Sequence, residues 1–171
     1  LGQDDSVSEK NPQFTRSREQ TRAAYDRLSR WYDLIAGSFE DRHRAAGVRM
    51  LNVRAGDKVL EIGFGTGRSI VSLAETVGPA GKVCGLDLSP GMLEEARARV
   101  EKAGMVERVE LILGDAVALP YEPDTFDRIF MSFTLELFSE SEIPVVLAEC
   151  RRVLTPAGRL CVVAMSRPAR S

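Results

Sequence analysis

The chain has 171 residues, of which 44% are hydrophobic and 28% charged, values ordinary for a single globular domain with its own core. A formal net charge of −2 gives no basic footprint for nucleic acid. The three cysteines lack CxxC or CxH spacing, which favours reduced packing residues, a cytoplasmic location and no zinc site. No stretch approaches the roughly 20 apolar residues of a membrane span.

The N-terminal third divides into two parts. Residues 1–16 are polar and aperiodic, so we expect a disordered lead-in. From Ser17, apolar residues recur at three- and four-residue steps, which predicts a helix that Gly37 breaks. A second amphipathic helix is predicted over Phe39 to Leu51. We therefore expect a helical segment over residues 17–54, ahead of a core over residues 55–171.

Short apolar runs then alternate with helical patterns. Strands are predicted over Lys58 to Gly63, Lys82 to Leu88, Val109 to Ala116, Phe126 to Phe133 and Arg159 to Met165. Helices are predicted over Ser69 to Val77, from an N-cap at Ser89 to Gly104, and from about Glu142 to Leu154. Nearly continuous apolar strands are typical of a parallel sheet covered on both faces. The alternation predicts a doubly wound, mostly parallel α/β sheet of Rossmann-like type.

The stretch VLEIGFGTG, from Val59 to Gly67, ends the first predicted strand in alternating glycines. Ligands of doubly wound sheets bind at this end of the strands. A dinucleotide fingerprint needs a third glycine where this chain has Arg68, and a P-loop needs Lys-Ser or Lys-Thr after the glycines. Both phosphate-binding interpretations are therefore weak. A glycine-rich turn without a ligand is the other alternative.

Further motifs follow in order: Glu61, the glycines Gly63, Gly65 and Gly67, Asp87, Gly114-Asp115-Ala116, Phe126-Asp127, and Leu154-Thr155-Pro156-Ala157-Gly158. This set resembles the class I S-adenosylmethionine-dependent methyltransferases, over about Tyr25 to Met165. Within that family it is most similar to the small-molecule branch that includes the ubiquinone/menaquinone C-methyltransferases. The resemblance implies S-adenosylmethionine as cofactor and methyl transfer to a small, lipophilic or aromatic acceptor.

The glycines suit this cofactor, which has no phosphate but needs close backbone approach to its methionine moiety. Asp87 is predicted to accept both ribose hydroxyls, although a carboxylate placed at a helix N-terminus is the alternative. Glu61 is predicted to orient the glycine loop or the cofactor's ammonium group, with a solvated strand-end charge as its alternative.

The adenine side of the site is assigned mainly through the resemblance. Leu88 and Met92 are expected against an adenine face, although Met92 is equally explained as core. The resemblance implies that the Asp115 carboxylate contacts the adenine amino group and that the Ala116 N–H contacts a ring nitrogen. For Asp115, a simple turn residue is the alternative. Ser132, at the end of the fourth strand, is expected to complete the cofactor site.

The catalytic side has few candidates. His43 lies in a charged stretch and is interpreted as a surface residue. Where the quinone enzymes carry an Arg-Asn pair, this chain has Glu136-Leu137, so Glu136 is the candidate base or substrate-orienting carboxylate, with a helix-side charge as the alternative. In this family the N-terminal segment commonly forms a lid, so Tyr32 is expected at the methionine end and Tyr25 at the cofactor, unless both simply pack.

Class I sheets normally have seven strands, whereas this sequence shows five. An uncovered apolar edge is a liability, so we expect the strand-five edge to be covered by a second copy of the chain or by residues outside this sequence. Alternative functions are a catalytically silent S-adenosylmethionine-binding partner subunit and aminopropyl transfer. Dinucleotide-dependent reduction is disfavoured by Arg68.

Overall fold

The computed structural model describes residues 37–165. The expected lead-in over residues 1–16, the helix predicted from Ser17, and both Tyr25 and Tyr32 lie outside the described residues. None of the helices within this part of the chain is long and apolar enough to cross a membrane.

Helices and strands alternate along the described chain. In order they are α1 (Gly37–Leu51), β1 (Lys58–Ile62), α2 (Arg68–Val77), β2 (Lys82–Asp87), α3 (Pro90–Lys102), β3 (Val109–Leu113), β4 (Phe126–Ser132), α4 (Ile143–Val153) and β5 (Leu154–Val163). Short 3-10 turns occupy Val106–Arg108 and Leu135–Leu137. The strands and helices predicted for the described residues are confirmed. Apart from the start of β5, their boundaries agree with the prediction or differ from it by at most three residues.

The strands form one parallel sheet in the order β3-β2-β1-β4-β5. The chain runs outward from β1 to β3 and then crosses to the other side of β1 for β4. The order therefore reverses between β1 and β4, and the crevice at their carboxyl ends is the expected ligand position. The predicted doubly wound α/β class is confirmed.

The fifth strand begins earlier than the sequence indicates. Leu154 leaves α4 in an extended conformation and pairs with Phe126, and regular pairing resumes only where Arg159 meets Arg128. The four residues between these pairs form an irregular bulge, whereas the sequence pattern predicts that the strand begins only at Arg159. Pairing of Leu154 depends on Phe126, 28 positions earlier in the chain, so local patterns do not reveal it.

The core has two halves, one on each face of the sheet. In β1 the side chain of Val59 joins the half formed with α1, α2 and α3, whereas Leu60 and Ile62 join the half formed with α4. This alternation is the expected consequence of a strand buried on both faces. Cys84 and Cys150 are buried free thiols in the second half, which confirms them as packing residues.

Helix α1 lies directly against β4 and β5 because Gly47 has no side chain. A Cβ at Gly47 would collide with Val163 Cγ2 and lie 2.9 Å from Phe130 Cε2. The Cys161 thiol donates to the Gly47 carbonyl at 3.5 Å. This close approach fixes α1 over the sheet and brings its first turns toward the β1–α2 loop.

Candidate functional site

The three glycines of the β1–α2 loop all have positive φ angles, 74° at Gly63, 54° at Gly65 and 80° at Gly67. A Cβ at Gly63 would collide with the Thr134 side chain, and a Cβ at Gly67 would lie 2.9 Å from the Ala96 Cβ. A Cβ at Gly65 would meet nothing within 4 Å. The three glycines therefore differ in role. Gly63 and Gly67 permit close packing, and Gly65 faces open space.

Asp87 ties the glycine loop to the next helix. Its Oδ2 accepts the Gly65 N–H at 2.9 Å, and its Oδ1 accepts the Ser89 N–H at 3.0 Å. Ser89 in turn caps α3, since its Oγ accepts the Met92 N–H at 3.2 Å and Pro90 occupies the first helical position. The predicted cap is confirmed. Asp87 thus shapes the loop on which its predicted ribose contact depends.

Glu61 is the most perturbed acid of the site. The residue is 2% exposed, and its Oε2 is buried with no hydrogen-bond partner among the described residues. Burial raises the pKa of Glu61 from 4.5 to about 8, while the nearby Ser69 hydroxyl and the Arg44 guanidinium lower it and the Asp87 carboxylate raises it further. The alternative of a solvated strand-end charge is wrong. A buried acceptor of this kind is a functional-site candidate.

A cluster of charged residues, formed by Asp41 and Arg44 of α1 with Arg68, lies beside this acid and was not predicted from the sequence. Asp41 accepts from Arg68 Nη1 at 2.6 Å and from Arg44 Nη1 at 2.5 Å, so it joins α1 to the start of α2. The only sequence signal was the three-residue spacing of Asp41 and Arg44, which also suits an ordinary surface pair. His43, between them, is exposed as predicted.

The carboxyl ends of β2 and β3 meet on the predicted adenine side. The Gly114 N–H donates to the Asp87 carbonyl at 2.9 Å, which places the β3–β4 loop next to the end of β2. Asp115 Oδ1 accepts the Val117 N–H at 3.1 Å, so Asp115 stabilises the turn after β3, as its alternative interpretation expected. Ala116 is buried beside it. Their adenine contacts stay predictions.

The two apolar residues predicted at the adenine occupy different environments. Leu88, just after β2, is 41% exposed, so its side chain is accessible to a ligand. Met92 is 7% exposed and belongs to the core half shared with α2 and α3. Packing in the core therefore explains the position of Met92 without a ligand, which was the alternative to an adenine contact.

The end of β4 carries two buried polar atoms that lack partners within the described residues, Ser132 Oγ and Glu136 Oε2. Between them Phe133 has a φ of 53°, a rare conformation for a bulky residue. Its N–H donates to the Val163 carbonyl at 2.7 Å, and the Thr134 hydroxyl donates to the Ser132 carbonyl at 3.0 Å. The chain thus turns sharply here and is held in that turn.

The sheet order therefore brings the predicted residues to one edge. The members on the described chain are Glu61, Gly63, Gly65 and Gly67 after or within β1, Asp87 and Leu88 at β2, Asp115 and Ala116 at β3, and Ser132 and Glu136 at β4.

Comparisons with known proteins agree with this arrangement. A family model described as a methyltransferase domain matches residues 59–158. A demethylmenaquinone methyltransferase of Symbiobacterium thermophilum is 36% identical over 152 residues, covering 86% of this chain and 59% of that protein. One of Staphylococcus aureus is 35% identical over 156 residues, covering 89% and 63%. This chain thus spans about three fifths of the length of these curated relatives.

A solved structure shows the same architecture. The crystal structure of a SAM-dependent methyltransferase from Aquifex aeolicus superposes with a TM-score of 0.66 at 29% identity, covering 74% of this chain and 66% of that one. The family match extends over more than half of the sequence and includes the glycine loop, Asp87 and the ends of β3 and β4. This chain belongs to the methyltransferase domain family.

Proposed function

We propose that this chain binds S-adenosylmethionine at the carboxyl ends of β1 and β2 and transfers its methyl group to a small lipophilic or aromatic acceptor. The observation that carries the proposal is the buried Oε2 of Glu61, which has no partner among residues 37–165, next to a loop whose Gly65 faces space that is open within the same residues. The cofactor's ammonium group can donate a hydrogen bond to this carboxyl oxygen.

The residues present fit this cofactor better than a dinucleotide. A pyrophosphate would approach a loop whose Gly65 N–H already donates to the Asp87 carboxylate, and this carboxylate repels an anion. Arg68 Nη1 already pairs with Asp41 at 2.6 Å, which neutralises part of its charge, while its Nε is buried with no partner among the described residues. A cofactor with an ammonium group, ribose hydroxyls and no phosphate meets no such repulsion.

When bound, S-adenosylmethionine supplies an activated methyl group, so the chain itself must mainly bind, align and exclude water. We assign Gly63, Gly65 and Gly67 to the backbone approach and Asp87 to the ribose hydroxyls. Leu88, Asp115, Ala116 and Ser132 are assigned to the remaining cofactor contacts. Residues 17–54, with Tyr25 and Tyr32, are proposed as the lid over the core of residues 55–171, and among the described residues of this segment α1 packs on β4 and β5.

The acceptor is proposed from the relatives. Two proteins named demethylmenaquinone methyltransferase, at 35% and 36% identity, support a quinone-like lipophilic acceptor. The net charge of −2 favours a small molecule over nucleic acid. We place the protein in the cytoplasm, in keeping with its free cysteines.

Binding of S-adenosylhomocysteine, the demethylated product of the cofactor, tests this function. Isothermal titration is expected to give a micromolar dissociation constant for S-adenosylhomocysteine and no binding of NADH at the same concentrations. Tight NADH binding, or none of S-adenosylhomocysteine, would contradict the proposal. Methylated product from any quinol or phenol, detected by mass spectrometry, would reject the catalytically silent alternative.

We further propose that a second copy of the chain covers the outer edge of β5. Leu160, Val162 and Val163 are only half-buried, whereas the corresponding apolar residues of β1 and β4 are fully buried. The expected result is a species of twice the 18.8 kDa chain mass in sedimentation equilibrium. A single monomeric species at high concentration would exclude this dimer.

A further inference from the structure

The carboxyl end of β4 carries an acid that the proposed cofactor site does not use. Glu136 Oε2 is buried and has no partner in the part of the chain that the structure describes, while its Oε1 accepts the Met165 N–H at a long 3.4 Å. A buried carboxylate oxygen without a donor costs free energy in the unliganded protein. Such an oxygen suits a binding site in which the ligand supplies the hydrogen-bond donor.

A second polar group without a partner among the described residues lies four residues earlier. The Ser132 hydroxyl is also buried, and a hydroxyl can donate one hydrogen bond and accept two. An acceptor-only carboxylate and a hydroxyl at the end of one strand are complementary to a ligand O–H, which donates to the first and accepts from the second. A ligand carbonyl alone would leave Glu136 without a donor.

The residues next to this polar pair in the chain are mostly apolar. Phe133 is half-buried, and among the described residues it belongs to neither half of the core. Its φ of 53° is a strained conformation, of the kind that functional sites retain. Leu135 and Phe138 are half-buried against the core half formed with α4. The polar pair therefore lies in an apolar, aromatic stretch of the chain, which suits an acceptor ring that bears a hydroxyl group.

We propose that Glu136 is the general base for an acceptor whose hydroxyl is attached to an aromatic ring, a phenol or a hydroquinone, and that Ser132 hydrogen-bonds the acceptor oxygen. This inference rests on the proposed methyl transfer and names the acceptor class and the base for it. For Ser132 it replaces the cofactor contact assigned under the proposed function with a contact to the acceptor.

The proton step balances without a further reactant. The acceptor O–H bond breaks, its proton forms a new O–H bond with the Glu136 carboxylate, and the bonding pair stays on the acceptor oxygen. The resulting anion is the nucleophile of the proposed transfer, and the carboxyl group later loses its proton to solvent. General-base catalysis of this kind contributes about 10²- to 10⁴-fold.

Acceptors of different acidity test this role. We expect Glu136→Gln to lower kcat at pH 7.5 about 10²-fold or more for phenols and hydroquinones of ordinary acidity, whose pKa is about 10. For an acidic nitrophenol already ionised at that pH, the loss should be less than about tenfold, because no proton must be removed. Glu136→Asp should recover part of the rate, and Ser132→Ala should raise KM more than it lowers kcat.

Two controls separate this role from damage to the fold or the cofactor site. Glu140→Gln removes an exposed carboxylate of the same segment and should change no rate. S-adenosylhomocysteine titration should give the same affinity for Glu136→Gln and wild type. Equal losses on all acceptors, or loss of S-adenosylhomocysteine binding in the variant, would overturn the base assignment.

The remaining outcomes separate this inference from the proposed function. If wild type binds S-adenosylhomocysteine but methylates no phenol or hydroquinone of the panel, the acceptor class is wrong and the cofactor site stands. If wild type does not bind S-adenosylhomocysteine, the proposed function fails and this inference fails with it.

Discussion

Glu61→Gln should make the unliganded protein more stable than wild type at neutral pH, although it removes an ionisable group from the candidate site. The Glu61 pKa is about 8 in the folded chain, against the ordinary value of 4.5 that applies to an unfolded one. Between these values the folded chain holds a proton that the unfolded chain has lost. Unfolding therefore releases a proton, and the stability of wild type falls as pH rises from 4.5 through 8.

Glutamine has no proton to lose, so the variant should not show this fall. The stability difference should grow by about 1.4 kcal/mol per pH unit above pH 4.5, reaching roughly 3 kcal/mol at pH 7. Urea unfolding between pH 5 and 8.5 measures it. Glu94→Gln, on the exposed face of α3, is the matched control and should show no such trend. A difference that does not change with pH would show that Glu61 is not held protonated by burial.

The same substitution should weaken the cofactor site. If Glu61 accepts the ammonium group, S-adenosylhomocysteine should bind the variant about tenfold or more weakly. 5′-Methylthioadenosine, which lacks the amino acid part, should bind both proteins equally. A buried acid that costs stability and improves binding is the pattern expected of a functional residue.

Asp87→Ala should lower S-adenosylhomocysteine affinity about 100-fold or more. Hydrogen bonds to a charged group contribute about 1.5 to 3 kcal/mol each, so the loss of two ribose contacts is about 3 kcal/mol or more. The variant also lacks the carboxylate that accepts the Gly65 and Ser89 N–H groups. The glycine loop therefore loses a hydrogen bond that fixes its conformation. Titration calorimetry beside wild type measures the change.

Ser89→Ala separates loss of binding from loss of stability. It removes the cap of α3, where Ser89 Oγ accepts the Met92 N–H, and should cost about 1 kcal/mol of unfolding free energy. Its S-adenosylhomocysteine affinity should stay within a few-fold of wild type. If both variants lose affinity alike, Asp87 acts only through the helix terminus, and the ribose assignment is wrong.

The sequence by itself determined the sheet, its parallel sense and the edge at which the site lies. Nearly continuous apolar strands, helical periodicity between them and glycines after the first strand are local patterns, and local physical chemistry is sufficient to interpret them. The cap at Ser89 is also a local feature, because its hydrogen bond joins residues only three positions apart. The order of strands was not predicted, because connection rules restrict the possible topologies without selecting the observed β3-β2-β1-β4-β5.

Only the tertiary structure decided what each site residue does. Gly63 packs against Thr134 and Gly67 against Ala96, contacts that join positions far apart in the chain. The Glu61 pKa is set by burial under α1 and α2, and by Arg44, which the sequence shows only as part of a charged stretch. Burial and electrostatics depend on which elements meet in space. Sequence patterns therefore placed the site, and the non-local contacts of the fold set its chemistry.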